Sequence, residues 1–163
     1  PKNSNDLSPF YTGEAQVASG YLTNEVITAR DLGYSLNIIY PDDYGVHFYG
    51  DVIITADDLI TKDPALILKF LRATLKGWSY AVEHNSEMGA LVAKYNPEAA
   101  VELENEKMAA SVPLIHTGED HICWMSEDSW VNMVKTLRAE GVLTHPLEIT
   151  QAYTLQFLEE IYP

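Results

Sequence analysis

Hydrophobic and polar positions follow two rhythms along this chain, and the change falls near Ala56. Between Leu22 and Leu32 the apolar residues Leu22, Val26, Ile27, Ala29 and Leu32 recur at the spacing of one helix face. Thr23 or Asn24 stands ready to cap that helix, and Gly33 is placed to stop it. The run Leu36-Asn37-Ile38-Ile39-Tyr40, ended by Pro41, predicts a buried strand, Pro41 to Gly45 a turn, and Val46 to Thr55 a second, longer strand. Upstream, Pro9, Gly13 and Gly20 punctuate a short helix or turn followed by a brief strand near Ala15 to Ala18. Beyond residue 56 the pattern turns helical. Asp63-Pro64 reads as an N-cap with proline at the first helical position, and Leu66, Ile67, Phe70, Leu71, Leu75, Trp78 and Val82 then form one apolar stripe. Further helices are predicted over Ser86–Tyr95, from Pro97 to about Ala110, over Glu127–Glu140 with Ser126 as cap and Gly141 as stop, and over Thr150–Ile161.

Two or three strands beside this many helices make a sheet whose edges have no partners. The expectation is therefore an α/β chain that forms the C-terminal portion of a larger protein, or one that completes its sheet by exchange with a second copy. Its start, Pro1-Lys2-Asn3-Ser4-Asn5, has neither a Met nor a signal-peptide pattern, and reads as processed, tagless or cut from something longer.

Composition narrows the partners. With 163 residues, 47% of them hydrophobic and 21% charged, the chain has the mixture of a folded domain. Ten Lys plus Arg face 24 Asp plus Glu, a formal net charge of −14, so phosphate backbones and anionic bilayers are repelled and nucleic acid is not expected as a partner. No apolar run approaches the ~20 residues of a membrane helix. Cys123 is the single cysteine, which excludes an internal disulfide. His116, Glu119, Asp120, His121 and Cys123 cluster in sequence, but the five-residue step between the histidines fits no zinc spacing, and an acidic connecting loop is the plainer reading; no metal is expected. A lone cysteine without a paired histidine, and the absence of a nucleophile elbow or phosphate loop, argue against catalysis. Glu98, Glu102, Glu104 and Glu106 with Lys107 read as a solvated helix face.

A resemblance covers most of the chain, from about Asp6 to Tyr162. It is carried by Asp6-Leu7-Ser8-Pro9-Phe10, Gly13-Glu14, Gly20-Tyr21, Asn24-Glu25, Ala29-Arg30 and Gly33-Tyr34. It continues through Asp43-Tyr44-Gly45-Val46-His47-Phe48-Tyr49, Asp51, Pro64, Phe70-Leu71-Arg72-Ala73 and Gly77-Trp78-Ser79-Tyr80-Ala81. The order and spacing of these blocks resemble the second half of type II periplasmic binding proteins of ABC importers. The nearest branch is that for thiamine-pyrimidine precursors, related to nitrate and sulfonate binding proteins and to fungal pyrimidine synthases.

The resemblance implies a two-lobed α/β fold that closes on a small ligand. Residues 1–41 would finish the second lobe, 42–56 would make the hinge crossing and return strand, and 57–163 would be a helical C-terminal part of the first lobe. It also implies an extracytoplasmic, periplasmic or membrane-anchored binding protein that docks on an ABC permease, needs no cofactor and catalyses nothing. Its cysteine-rich iron motif, which marks the enzymatic branch, has no counterpart around Cys123. The ligand expected is a flat heteroaromatic nutrient, a thiamine-pyrimidine precursor. Gln16-Val17-Ala18-Ser19 replaces the Asp-Val-Trp-Pro usual before Gly-Tyr, and the lost tryptophan opens room for a larger vitamin such as riboflavin. Tyr21, Asn24 and Glu25, at a strand-to-helix junction, are the first candidate ligand residues: a ring to stack on a heterocycle, an amide, and a carboxylate to accept from ring and amine N–H groups. The plainer alternative is that Asn24 caps the helix and Glu25 favours its positive end. Tyr44 and His47 in the hinge segment complete the candidate set, with Gly45 supplying backbone freedom and Tyr49 sharing the face of His47.

Overall fold

The structure, a computed structural model, describes residues 6–115 and 121–162. Among them the regular elements are helices: α1 (Ser8–Tyr11), α2 (Glu25–Asp31), α3 (Asp57–Lys62), α4 (Pro64–Glu83), α5 (Met88–Tyr95), α6 (Val101–Ile115), α7 (Glu127–Ala139) and α8 (Gln156–Ile161). Short 3₁₀ turns stand at Pro41–Tyr44, Asn85–Glu87 and Ile149–Gln151.

Local chemistry sets most of these boundaries. Asp63 caps α4, its Oδ1 accepting from the Leu66 amide at 3.1 Å. Ser126 does the same for α7, Oγ accepting from the Ser129 amide at 3.2 Å, and Gly141 ends that helix region with φ +69°. The expected helix from Pro97 instead starts at Val101, because Asn96 holds the next residues in a turn: its carbonyl accepts from Ala99 N at 3.0 Å and its side chain from Glu98 N at 3.3 Å. The helix then runs past Ala110 to Ile115, with Pro113 in its last turn. Thr150–Ile161, expected as one helix, divides into the 3₁₀ turn and α8, with the Gln156 amide bonded to the Thr154 hydroxyl at the break.

The strands expected at Ala15–Ala18, Leu36–Tyr40 and Val46–Thr55 are a correction: none forms a ladder among the described residues. A strand exists only where a neighbour takes its alternating N–H and C=O groups, and the described residues supply no such neighbour. Their apolar side chains are correspondingly bare, Ile39, Val52, Ile53 and Ile54 all being exposed.

The chain divides into two compact units, and the division falls within α4. The first unit comprises residues 1–37 and 80–117. In it α5 packs closely on α6. The Gly89 amide donates to Asn105 Oδ1 at 2.6 Å, and a Cβ added at Gly89 would lie 2.0 Å from the Val101 carbonyl oxygen, so only glycine lets the two backbones approach. Helix α2 rests on α6 in the same unit, with Ala29 buried, and Tyr11 stacks on Tyr34 with ring centres 4.7 Å apart.

The second unit comprises residues 38–79 and 118–163. Its core is Ile67 and Leu71 of α4 against Phe157 of α8, with Leu59, Ile60, Leu68 and Ile161 packed around them. Arg72 reaches Glu160 at 3.1 Å over that core; both side chains are more than half exposed, and the pair adds little. The stripe predicted on α4 is thus buried on one side, at Ile67, Leu71 and Leu75, while Leu66, Phe70 and Trp78 are exposed.

Candidate functional site

Gly20 opens the turn that enters α2, and it is tight: a Cβ there would lie 2.8 Å from the Cβ of Glu25. The close approach brings the Glu25 carboxylate back over the chain. Its Oε2 accepts from the Tyr21 amide at 2.8 Å and its Oε1 from the Asn24 side-chain amide at 3.2 Å. Asn24 occupies the N-cap position of α2, yet its side chain makes no capping bond to the helix; it serves Glu25 instead. Glu25 is 7% exposed, and among the described residues it is the buried charged side chain.

Burial alone would push the Glu25 carboxyl up. It is outweighed by the main-chain amides of Tyr21 and Glu25 itself, by the Asn24 amide and by the Lys107 ammonium, which together hold the carboxyl below its ordinary value. Glu25 therefore stays ionised at neutral pH and fixes the turn. Tyr21 and Asn24 remain exposed, the Tyr21 residue at 58%. The turn thus combines a free aromatic ring and an exposed amide with a rigid anionic base.

Lys107 escaped the sequence pattern, which placed it with the glutamates on a solvated face. Glu98, Glu102 and Glu106 are indeed exposed, but Glu104 and Lys107 are half-buried and paired at 2.9 Å. The i, i+3 spacing of an acid and a base on α6, the helix on which α2 rests, was the available signal.

Tyr44 and His47 lie in the second unit. Tyr44 ends the 3₁₀ turn Pro41–Tyr44 and is 76% exposed, and Gly45 follows it in the left-handed region with φ +79°. The Pro41 carbonyl accepts from the Val46 amide at 3.1 Å, closing the turn, and His47 Nδ1 pairs with Asp42 Oδ1 across it. His47 is thereby oriented but exposed. Tyr49 faces inward instead: its hydroxyl oxygen accepts from the Ser126 amide at 2.8 Å, and its ring lies 5.9 Å from that of Trp130, which stacks on Tyr153 at 5.2 Å.

Of the residues weighed as metal ligands, His116, Glu119 and Asp120 lie outside the described residues. His121 stacks flat on Tyr162, ring centres 4.2 Å apart. Cys123 is half-buried with φ +68°, and burial pushes its thiol up. Among the described residues no three His, Cys, Asp or Glu side chains gather as a metal site, and no helix is long and apolar enough to cross a membrane.

The turn Gly20–Glu25 thus presents an exposed ring and an exposed amide on a pinned helix entry. Residues 2–88, more than half of the chain, match the family described as NMT1/THI5 like, and the chain belongs to that family. It is 27% identical over 148 residues to the riboflavin-binding protein RibY of Chloroflexus aurantiacus, a match covering 87% of this chain and 42% of that protein. It is 23% identical over 149 residues to the formylaminopyrimidine-binding protein of Halalkalibacterium halodurans, covering 88% of this chain and 45% of that protein. The chain therefore spans less than half the length of these curated relatives. No solved structure gives a significant match. Both relatives are named for binding a heteroaromatic compound, in line with the type II binding-protein resemblance read from the residues.

Proposed function

We propose that this chain is the C-terminal portion of the substrate-binding component of an ABC-type importer, and that the whole protein binds a flat heteroaromatic nutrient between two lobes outside the cytoplasm. In this reading residues 1–41 finish the second lobe, 42–56 make the crossing and 57–163 return to the first lobe. No reaction is catalysed, and the partner is an ABC permease. Family membership and the names of the two relatives support the class. The observation that carries it to residues is the turn Gly20–Glu25. There the anchored carboxylate holds an exposed tyrosine ring and an exposed amide at the start of a helix.

Tyr21 stacks on the heterocycle and the Asn24 amide reads its polar edge, while Glu25 fixes both and retains unused lone pairs for a ligand N–H. Tyr44 and His47 are proposed as further ligand residues, His47 oriented by Asp42. Replacement of the usual tryptophan by Ala18 favours riboflavin over a single-ring pyrimidine as ligand.

Calorimetric titration of the full-length protein with riboflavin and with formylaminopyrimidine tests this. One of the two should bind at micromolar Kd or tighter and be recovered chemically unchanged. Tyr21→Ala should weaken that binding by about tenfold or more, roughly 1.4 kcal/mol. Conversion of the ligand to a product would point to the synthase branch instead, and binding of neither compound would overturn the ligand class.

A further inference from the structure

Helix α7 begins with an amide that its own first turn leaves unsatisfied. The leading N–H groups of a helix have no partner inside it. Ser126 Oγ takes that of Ser129 at 3.2 Å, and in a capping box a Glu or Gln at the third helical position would reach back to the Ser126 amide. Here that position holds the short Ser129, whose hydroxyl is turned to Ser126 Oγ at 2.8 Å. The Tyr49 hydroxyl oxygen, 77 residues away in sequence, accepts from the Ser126 amide instead, at 2.8 Å. The Tyr49 ring lies against Trp130, one turn into α7, and Trp130 stacks on Tyr153 with ring planes 7° apart.

The segment that carries Tyr44 and His47 is otherwise tied only to itself. The Val46 amide bonds to the Pro41 carbonyl, and His47 pairs with Asp42. Among the described residues, no hydrogen bond, ion pair or ring contact of residues 40–55 reaches another segment except those of Tyr49.

We propose that Tyr49 is a positioning residue of the ligand site: by fastening its segment to the start of α7, it fixes where Tyr44 and His47 stand before the ligand arrives. This rests on the functional reading above, in which Tyr44 and His47 touch the heterocycle; Tyr49 acts through them. An unfastened segment is competent to bind only for the fraction of time its turn is in place, and the apparent affinity falls by that fraction. One exposed hydrogen bond changes the fraction a few-fold, and the ring contact adds to it.

The test has two readouts in the full-length protein. The first needs no ligand. Spin labels on Asp43→Cys and Lys135→Cys, both exposed positions, with other cysteines replaced, report the spread of distances between the turn and α7. The spread should widen in Tyr49→Ala, and an unchanged spread overturns the proposal.

The second is riboflavin affinity, at a temperature where circular dichroism shows every variant folded. Tyr49→Phe should weaken it by about two- to fivefold and Tyr49→Ala by about tenfold or more. A merely structural contact would lower the urea midpoint of these variants and leave their affinity alone, and that result overturns the positioning role. Tyr44→Ala and His47→Ala separate the two failures. If neither weakens riboflavin binding, the functional reading of this turn falls; if they weaken it and Tyr49→Ala does not, the role of Tyr49 alone is refuted.

Discussion

The Glu25 carboxylate folds back onto the main-chain amide of Tyr21 at 2.8 Å, four residues earlier in the chain. This one contact turns a helix entry into a fixed platform, and it depends on charge. A carboxyl held below its ordinary value in the fold binds fewer protons there than in the unfolded chain. Its contribution is therefore complete above the ordinary carboxylate range and is lost as pH falls through and below it. Glu25→Gln removes the charge while keeping the size, and should cost about 1–2 kcal/mol at neutral pH. The gap in urea midpoint between wild type and variant should be smaller at about pH 3.5 than at neutral pH. An equal gap at both would show that the charge does not matter.

Two glycines mark close approaches, and they should differ in severity. At Gly89 an added methyl would meet the backbone oxygen of Val101 at 2.0 Å and the side chain of Asn105 at 2.8 Å, and neither α5 nor α6 can yield without separating. Gly89→Ala should destabilise by about 3 kcal/mol or more. At Gly20 the obstacle is the Cβ of Glu25 at 2.8 Å, in a turn that can open at the expense of the carboxylate's bonds. Gly20→Ala should cost about 1–2 kcal/mol and also weaken ligand binding. Chemical denaturation of the two variants checks the order, and Gly20→Ala as the more damaging would contradict it.

How far the sequence could be read depended on whether the deciding contact was local. The caps Asp63 and Ser126, the stop at Gly141 and the apolar stripe of α4 rest on neighbours within a turn or two, and periodicity plus cap chemistry found them. The candidate turn was visible as Gly20, Tyr21, Asn24 and Glu25. What was not visible is that Asn24 donates to Glu25 instead of capping α2, because the choice is made by burial of the carboxylate, which sequence spacing does not encode. Lys107 was misplaced for the same reason: what half-buries it is the packing of α6 against elements distant in sequence, which spacing on its own helix does not show. The three expected strands fail differently. Their composition is that of strands, but a ladder belongs to two segments, and among the described residues the second is missing.

Tyr49 ties its segment to the start of α7. Its hydroxyl oxygen accepts from the Ser126 amide at 2.8 Å, and its ring lies against Trp130. The bond is exposed, so Tyr49→Phe should cost only about 0.5–1 kcal/mol and leave the Trp130 environment intact. Tyr49→Ala removes the ring as well and should shift the indole emission. Single-tryptophan versions retaining Trp130 would report this directly, and identical spectra for the alanine variant would show that the ring contact does not persist in solution.

Cys123 offers the last check, because its chemistry is set by burial. The side chain is half-buried in a backbone turned to φ +68°, and desolvation raises its thiol above the ordinary value. Less thiolate at any given pH means slower alkylation, so iodoacetamide at pH about 8 should modify the folded chain several-fold more slowly than the same chain in denaturant. The sign also fixes a stability trend. With the folded value above the unfolded one, the contribution is fully present below the unfolded thiol's range and declines as pH climbs through the folded one. Tyr162, whose hydroxyl donates to the Ile122 carbonyl at 3.3 Å and which is raised first by burial and then by Cys123, should follow the same direction. Cys123→Ala should lower the Tyr162 midpoint, read from phenolate absorbance against a Tyr162→Phe control, and alkylation as fast in the folded as in the unfolded chain would refute the burial of the thiol.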